Sequence, residues 1–403
     1  MKNCPNIIAR GNGRCYGDSS LNENIFSTLR LNKVINFDEQ SGIFECEAGM
    51  LLSDILAIIV PKGFFLAVTP GTKFITIGGA IAADVHGKNH HLQGSFSKHL
   101  IAFDLLIDTS EIIMCTPVSN NKLFWQTCGG MGLTGIILKA SIQLQKIETA
   151  YIHQTTIKAN HLFQLMNLME ENENYTYSVA WIDGLAKGKN LGKSLLMLGE
   201  HLALVDLPEG LEANALHRQS LFKIPFYFPS FLLNQWIVKA FNFFHFNKNS
   251  KQRLNSIKHY DSFFYPLDSL GGWNKIYGRK GFTQYQFVLP LDKSRQGLAE
   301  ILQTIIESGE SSFLSVLKLF GEADERAVMS FPKRGYTLSL DFKISTKVFS
   351  LLSKLDELVL KYNGRLYLAK DVRMPASLFE KTYPKKVKRN PFFESLQSKR
   401  LNL

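Results

Sequence analysis

Three glycine-dense segments within the first 135 residues constrain this chain more than any other feature. The first, Arg10-Gly-Asn-Gly-Arg-Cys-Tyr-Gly-Asp18, follows a short apolar run, Asn6 to Ala9. The second is Thr69-Pro-Gly-Thr72 followed by Thr76-Ile-Gly-Gly-Ala-Ile-Ala-Ala-Asp-Val-His-Gly-Lys-Asn-His-His91. The third, Cys128-Gly-Gly-Met-Gly-Leu-Thr-Gly135, leads into another apolar run. Glycines this close let successive backbone N–H groups turn inward, the geometry that cradles a pyrophosphate. Gly11, Gly13 and Gly17 do not have the G-x-G-x-x-G spacing of a Rossmann turn, and no helix signal follows them. Paired glycines and small residues in the second segment suit a backbone lying against a flat ring system. One such segment reads equally well as a plain turn. Three, each at a strand end, point to one extended ligand containing phosphate. His86, His90 and His91 lack the spacing and the cysteine or carboxylate partner of a metal site, so no metal is expected.

The rest of the pattern predicts an α+β fold. Strands are expected at Asn6–Ala9, Ile43–Glu47, Leu100–Ile107 and Ile136–Leu144, with a helix over Leu51–Val60 that Ser53 and Asp54 would cap. From about Tyr151 the texture changes. Helical periodicity marks His161–Glu171, Leu298–Ser308 and Val348–Tyr362, and strands are expected at Ser178–Asp183, Thr283–Leu289, Ser315–Phe320 and Tyr336–Phe342. These elements suggest a β-α-β-β-α-β-like sheet with helices on one face. The expected organisation is a ligand-binding domain at 1–150, a second domain at 151–375 and a tail at 376–403 that packs back on the first.

A formal charge of +11 favours anionic partners such as phosphates or acidic lipid surfaces. Nucleic acid is not expected, because the cations are dispersed except at Lys385, Lys386, Lys388 and Arg389, and no nucleic-acid motif is present. Five scattered cysteines, Cys4, Cys15, Cys46, Cys115 and Cys128, argue for a reducing compartment and against a disulfide framework. Neither a signal peptide nor a membrane-spanning run is expected. The apolar stretch Leu221–Phe246, broken by Lys223, Pro225, Pro229, Asn234 and Lys239, suits a membrane surface, or a buried loop and helix. The chain is therefore expected to be cytoplasmic, or peripheral on the inner face of the membrane.

The glycine segments resemble the FAD-binding, PCMH-type domain of the vanillyl-alcohol-oxidase superfamily. Within it, the chain is similar to the family of oxidase subunits of decaprenylphosphoryl-β-D-ribose 2′-epimerases. That resemblance continues through Tyr177–Asp183, Phe264–Asp268, Gly272–Asn274, Gln284–Val288, Leu317–Gly321, Ser330–Pro332, Gly364–Tyr367 and Ala369–Arg373. It implies a two-domain flavoprotein whose FAD is held by Ala9, Arg10, Gly11, Asn12, Gly13, Arg14, Cys15, Tyr16, Gly17, Asp18 and Ser19. Further along, Gly71, Thr72, Thr76, Ile77, Gly78, Gly79, Ala83, Asp84, Val85, His86, Ile137 and Tyr367 are implied to complete the track. Covalent relatives carry a flavin-linking histidine in the first loop. Here the loop reads Gly13-Arg14-Cys15, so a non-covalent flavin is implied.

The same resemblance implies oxidation of the 2′-hydroxyl of a polyprenyl-phosphoryl pentose to a keto sugar, with a short-chain reductase completing an epimerisation. Lys370 is implied either to polarise the hydroxyl or to take its proton, with His86 the rival base. Tyr16, Trp181, Gln286, Lys318 and Ser339 are implied to line the substrate pocket, and Lys318 is an alternative contact for the phosphate. Ser339 stands where the family has a pocket cysteine, so sensitivity to thiol-reactive inhibitors is expected to be lost. The family also has a strand and helix before Ile7, which leaves the first subdomain apparently short of one strand and one helix. The competing readings are an aldonolactone or alditol oxidase acting on a soluble sugar, and a truncated, non-catalytic flavoprotein.

Overall fold

Strand alternation and helix periodicity build the fold around two large sheets. The computed structural model describes residues 6–216, 223–229, 235–248, 251–387 and 390–403. Cys4, Lys388, Arg389, Leu221, Phe222 and residues 230–234 of the apolar stretch lie outside the described residues.

A small parallel pair, β1 (Ile7–Arg10) and β2 (Asn24–Ser27), precedes the first large sheet. That sheet comprises β3 (Val34–Asp38), β4 (Ile43–Glu47), β5 (Phe64–Leu66), β6 (Leu100–Leu106), β7 (Ile112–Cys115) and β8 (Ile136–Lys146). Its order is β3-β4-β8-β6-β7, with β5 also paired to the long β8. The second sheet comprises β9 (Tyr151–Ala159), β10 (Tyr177–Ile182), β11 (Ser194–His201), β12 (Arg253–His259), β13 (Phe282–Pro290), β14 (Ser315–Phe320), β15 (Gly335–Lys343) and β16 (Arg365–Leu366). Its eight strands run in the order β12-β9-β11-β10-β14-β15-β13-β16, every neighbouring pair antiparallel.

The helices Leu162–Glu171, Leu291–Ser308 and Thr346–Lys361 cover one face of this second sheet. Tyr336 of β15 donates to Glu170 on the first of them, and Tyr285 of β13 donates to Asp356 on the last. Residues 285, 287, 336, 338 and 340 therefore point into the helix layer, and their alternation partners point the other way. That second face carries Gln284, Gln286, Ser339 and Asp341.

Two local expectations need correction. The Leu52–Ile59 helix is preceded by Leu51 without a side-chain cap, so Ser53 and Asp54 lie inside its first turn. The Leu291–Ser308 helix starts seven residues earlier than Leu298, which places Gly297 in its interior. A glycine there costs about 1 kcal/mol relative to alanine. Here it is required, because a β-carbon would lie 2.5 Å from Leu289 Cδ1 and 3.0 Å from Tyr362 Cγ. The missing side chain lets this helix close on the sheet and on the end of its neighbour.

The carboxy-terminal residues return to the amino-terminal strand. Ile7 N–H donates to Phe392 O at 2.9 Å, and Glu394 N–H donates to Ile7 O at 3.1 Å. Ile7, Ile136 and Phe393 form a small apolar cluster of their own.

Candidate active site

Tertiary contacts bring the three glycine segments together. Asn12 in the first donates from Nδ2 to Phe74 O at 2.8 Å, beside the second. Thr76 caps the Ile77–Ala82 helix, its Oγ1 accepting from Gly79 N–H at 3.1 Å. At the other end of that helix, Gly129 N–H donates to Ile81 O and Met131 N–H donates to Ala82 O, so the third segment buttresses the second. Asp84 accepts from Ser97 N–H at 2.9 Å and from the Ser330 hydroxyl, which fixes the turn leading to His86. Ile137 lies on β8 opposite Leu105. Thr72 donates to Asp268 Oδ1 at 2.9 Å, and the space beside Gly71 is open.

Register in the second sheet does the rest. Gln286 of β13 faces Ser339 of β15, and Gln284 faces Asp341. Ser339 faces Val316 of β14, Thr337 faces Lys318, and Val316 faces Trp181 of β10. Directly paired residues project to the same side of a sheet. Trp181, Lys318, Thr337, Ser339, Asp341, Gln284 and Gln286 therefore share the face opposite the helices, although 160 positions separate the first of them from Asp341.

Lys370 reaches this face from a single turn after β16. Its backbone is fixed by donation to Tyr367 O at 3.0 Å, and its Nζ donates to Ser339 Oγ at 3.3 Å. The Tyr16 ring lies 5.9 Å from the same nitrogen, and Tyr16 N–H donates to Ala369 O. The first glycine loop and the lysine turn thus touch directly. Burial pushes the Lys370 ammonium down to about 8, partly offset by the Asp341 carboxylate. Asp341 is itself pushed up to about 6 by burial, a rise opposed by the Gln284 hydrogen bond and the Lys370 charge.

His86 enters the same space from the first sheet's side, packed against the Phe320, Phe331 and Tyr367 rings. Its Nε2 lies 3.1 Å from Gln286 Nε2. The same amide nitrogen donates to Thr337 Oγ1, whose own hydroxyl donates to Phe287 O at 2.8 Å. That chain of donors assigns His86 Nε2 as an acceptor and leaves its proton on Nδ1. Burial, followed by the charges of Lys318, His90 and Lys370, holds the imidazole well below the ordinary histidine range. His86 is neutral, and its one free lone pair is already engaged. Its Nδ1 and Gln286 Oε1 are buried and have no protein partner among the described residues. Buried polar atoms are normally paired, so each of these two could take a partner from a bound group.

Trp181 is only 5% exposed and packs with Leu195 and Phe246, so its indole lies beneath neighbouring side chains. Sequence reasoning missed Lys88, although it sits inside the second glycine segment. Its Nζ donates to Phe263 O and lies 4.2 Å from that ring, and burial pushes it down to about 7. Lys318 is pushed to a similar value by burial and by the charges of Lys370 and Lys88. Neither Lys88 nor Lys318 has an ion pair among the described residues. Arg400 was also missed; it bridges Asp18 and Asp371 from the carboxy-terminal helix. Among the described residues, no three His, Cys, Asp or Glu side chains converge to hold a metal ion, and no helix is long and apolar enough to cross a membrane.

Comparison with known proteins places the chain among flavoproteins. The FAD binding domain family matches residues 2–116. Decaprenylphosphoryl-β-D-ribose oxidase of Mycolicibacterium smegmatis is 37% identical over 386 residues, 94% of this chain and 83% of that protein. A Streptomyces coelicolor protein described only as lying in the mprA 5′ region is 30% identical over 83% of this chain and 92% of its own length. L-Gulonolactone oxidase of Scyliorhinus torazame is 26% identical over 136 residues, 33% of this chain and 30% of that protein.

Proposed function

The chain belongs to the FAD-dependent decaprenylphosphoryl-β-D-ribose oxidase family, and from that premise we propose that it oxidises the ribose 2′-hydroxyl of a polyprenyl-phosphoryl pentose to a ketone. The observation that carries this reading is the convergence of Lys370, Ser339, Gln286, Lys318 and His86 at one face of the second sheet. FAD, when bound, accepts the hydride from the sugar carbon.

Residues Ala9–Ser19, Gly71, Thr72, Thr76–Gly79, Ala83–His86, Ile137 and Tyr367 hold the dinucleotide in this proposal. Its support is the adjacency of the glycine segments and the unpartnered polar atoms on His86 and Gln286. The absence of histidine from the first loop favours a non-covalent flavin. Lys370 takes the hydroxyl proton. The geometry favours it over His86, because its depressed pKa leaves a useful neutral fraction near pH 7 and the His86 lone pair is occupied. Lys318 and Lys88, two lysines without carboxylate partners among the described residues, meet the substrate phosphate, whose negative charge favours their protonated forms. In this reading a reductase of the short-chain class completes the epimerisation, and the enzyme works beside a membrane at its inner face.

The direct test is anaerobic reduction of the purified flavoprotein, with decaprenylphosphoryl-ribose against soluble aldonolactones and alditols. Reduction by the lipid-linked pentose alone supports the proposal; reduction by the soluble sugars alone overturns it.

A pH dependence follows from the Lys370 assignment. Below its pKa the amine is protonated and cannot accept a proton. At saturating substrate the reduction rate is therefore expected to rise roughly tenfold per pH unit and level off above about 8. A rate that falls as pH rises through 8 would show that the ammonium form is the active one.

Ser339 gives a second check. Its hydroxyl cannot form a thiol adduct; Cys46, Cys115 and Cys128 are buried, Cys15 is half-buried, and burial raises the pKa of all four thiols. Thiol-reactive inhibitors of the pocket are expected to leave activity intact, while Ser339→Cys is expected to gain a single adduct by intact mass together with loss of activity. Equal resistance of the two proteins would place residue 339 outside the pocket.

A further inference from the structure

The helix Gln235–Asn247 has two faces of different character. Val238, Asn242 and Phe246, spaced four apart, are 3%, 2% and 6% exposed. Asn242 donates to Asp183 Oδ1 at 2.6 Å, Phe246 packs on Trp181 and Leu195, and the His245 ring lies 4.7 Å from Trp181. The helix is thereby fixed against the end of β10, on the side of the sheet that carries the candidate site. Its other face presents Phe243 and Phe244 at 60% and 71% exposure. Large aromatic side chains rarely stand this open on a helix unless something covers them.

The surrounding charge says what covers them. Between residues 213 and 260 the sequence holds seven lysines and arginines and no aspartate or glutamate. Exposed aromatics among cations, on a helix too short to span a bilayer, have the physics of an interfacial element on anionic lipid. A second copy of the chain is a poor occupant. A two-fold contact would set this basic segment against itself.

We propose that the outward face of the Gln235–Asn247 helix docks on a bilayer surface carrying anionic lipids. Its inner face grips Trp181 and Asp183, so docking holds the candidate site beside the membrane and a polyprenyl-phosphoryl sugar is presented without leaving the bilayer. The delivery step rests on the lipid-linked substrate proposed above; the docking does not.

The test uses the full-length FAD-loaded protein with phosphatidylcholine vesicles, with and without phosphatidylglycerol. The protein is expected to co-sediment with the anionic vesicles and to be released by high salt. The Phe243→Ser, Phe244→Ser double variant is expected to bind them at least about tenfold more weakly, with its flavin spectrum and its activity on a short-chain, water-soluble substrate unchanged. Equal sedimentation of variant and parent would overturn the proposal. So would a parent dimer that the variant dissociates, with no vesicle binding by either. Vesicle binding that the double variant loses, in a protein that oxidises no lipid-linked pentose, would uphold the docking while removing the substrate reading.

Discussion

Replacing Lys370 with alanine is expected to slow reduction of the bound flavin by substrate about a thousandfold, the middle of the range for a positioned general base. The side chain is held for that work. Its backbone closes a single turn on Tyr367, its Nζ meets Ser339 Oγ, and the nearest acidic influence is Asp341 rather than a direct ion-pair partner. A lysine salt-bridged to a carboxylate would keep its proton. Here burial prevails and brings the amine to about 8, where proton acceptance at neutral pH is feasible. The flavin spectrum of Lys370→Ala should be unchanged, since the proposed FAD contact on this segment is Tyr367, whose hydroxyl donates to Ala83 O. Stopped-flow reduction under anaerobic conditions checks the rate. A normal single-turnover rate would take Lys370 out of the mechanism. His86→Gln in the same assay separates the rivals: a larger loss there than in Lys370→Ala would make the imidazole the base.

Much of the secondary structure was legible because local pattern and tertiary demand agree. Ile43–Glu47 and Ser315–Phe320 have the bounds expected from the sequence, each a short apolar run closed by polar or turn residues. The Leu291–Ser308 helix was under-read because Gly297 is locally unfavourable, and its reason lies in Leu289 and Tyr362 across the interface. The cap at Ser53 failed for a similar reason. Leu52 and Ser53 N–H instead donate to Ile75 O and Lys73 O, satisfying the helix start through the second glycine segment.

The candidate site divides in the same way. Glycine clustering singled out three segments from residues alone, and the fold brings those segments together. His86, Gln286, Lys318, Ser339 and Lys370 are far apart in sequence, and only family resemblance joined them before strand register did. Asp341, Gln284 and Thr337 escaped notice because each becomes relevant only through the residue opposite it. Lys88 read as an ordinary cation until its burial against Phe263 was known. No pattern near residue 400 signals an arginine whose partners lie 382 and 29 positions away.

Arg400→Ala is expected to weaken FAD binding about a hundredfold, because this one side chain ties the first glycine loop to the lysine turn. Its Nε and Nη2 donate to the two Asp18 oxygens at 3.0 and 2.7 Å, Nη2 also reaches Asp371 Oδ2 at 2.9 Å, and Nη1 donates to Met374 O at 2.6 Å. The Asp371 side chain is only 2% exposed, and its other oxygen accepts from Arg373 and Met374 N–H. Removing the guanidinium leaves that carboxylate buried without its cation, a loss of roughly 3 kcal/mol when one partner of a buried pair is deleted. The loop cannot absorb the change by sliding. Gly17 lies so close to the lysine turn that a β-carbon would be 2.0 Å from Asp371 O, so any shift of residues 371–374 displaces the loop as well. If that energy is charged to the loop conformation that grips the dinucleotide, about 3 kcal/mol corresponds to about two powers of ten in Kd. Arg400→Lys keeps the charge but not the fork that spans two carboxylates, and is expected to recover only part of the affinity. Titration of apoprotein with FAD, followed by flavin fluorescence, gives the three dissociation constants. Equal values for parent and Arg400→Ala would confine the ion-pair network to holding the carboxy terminus.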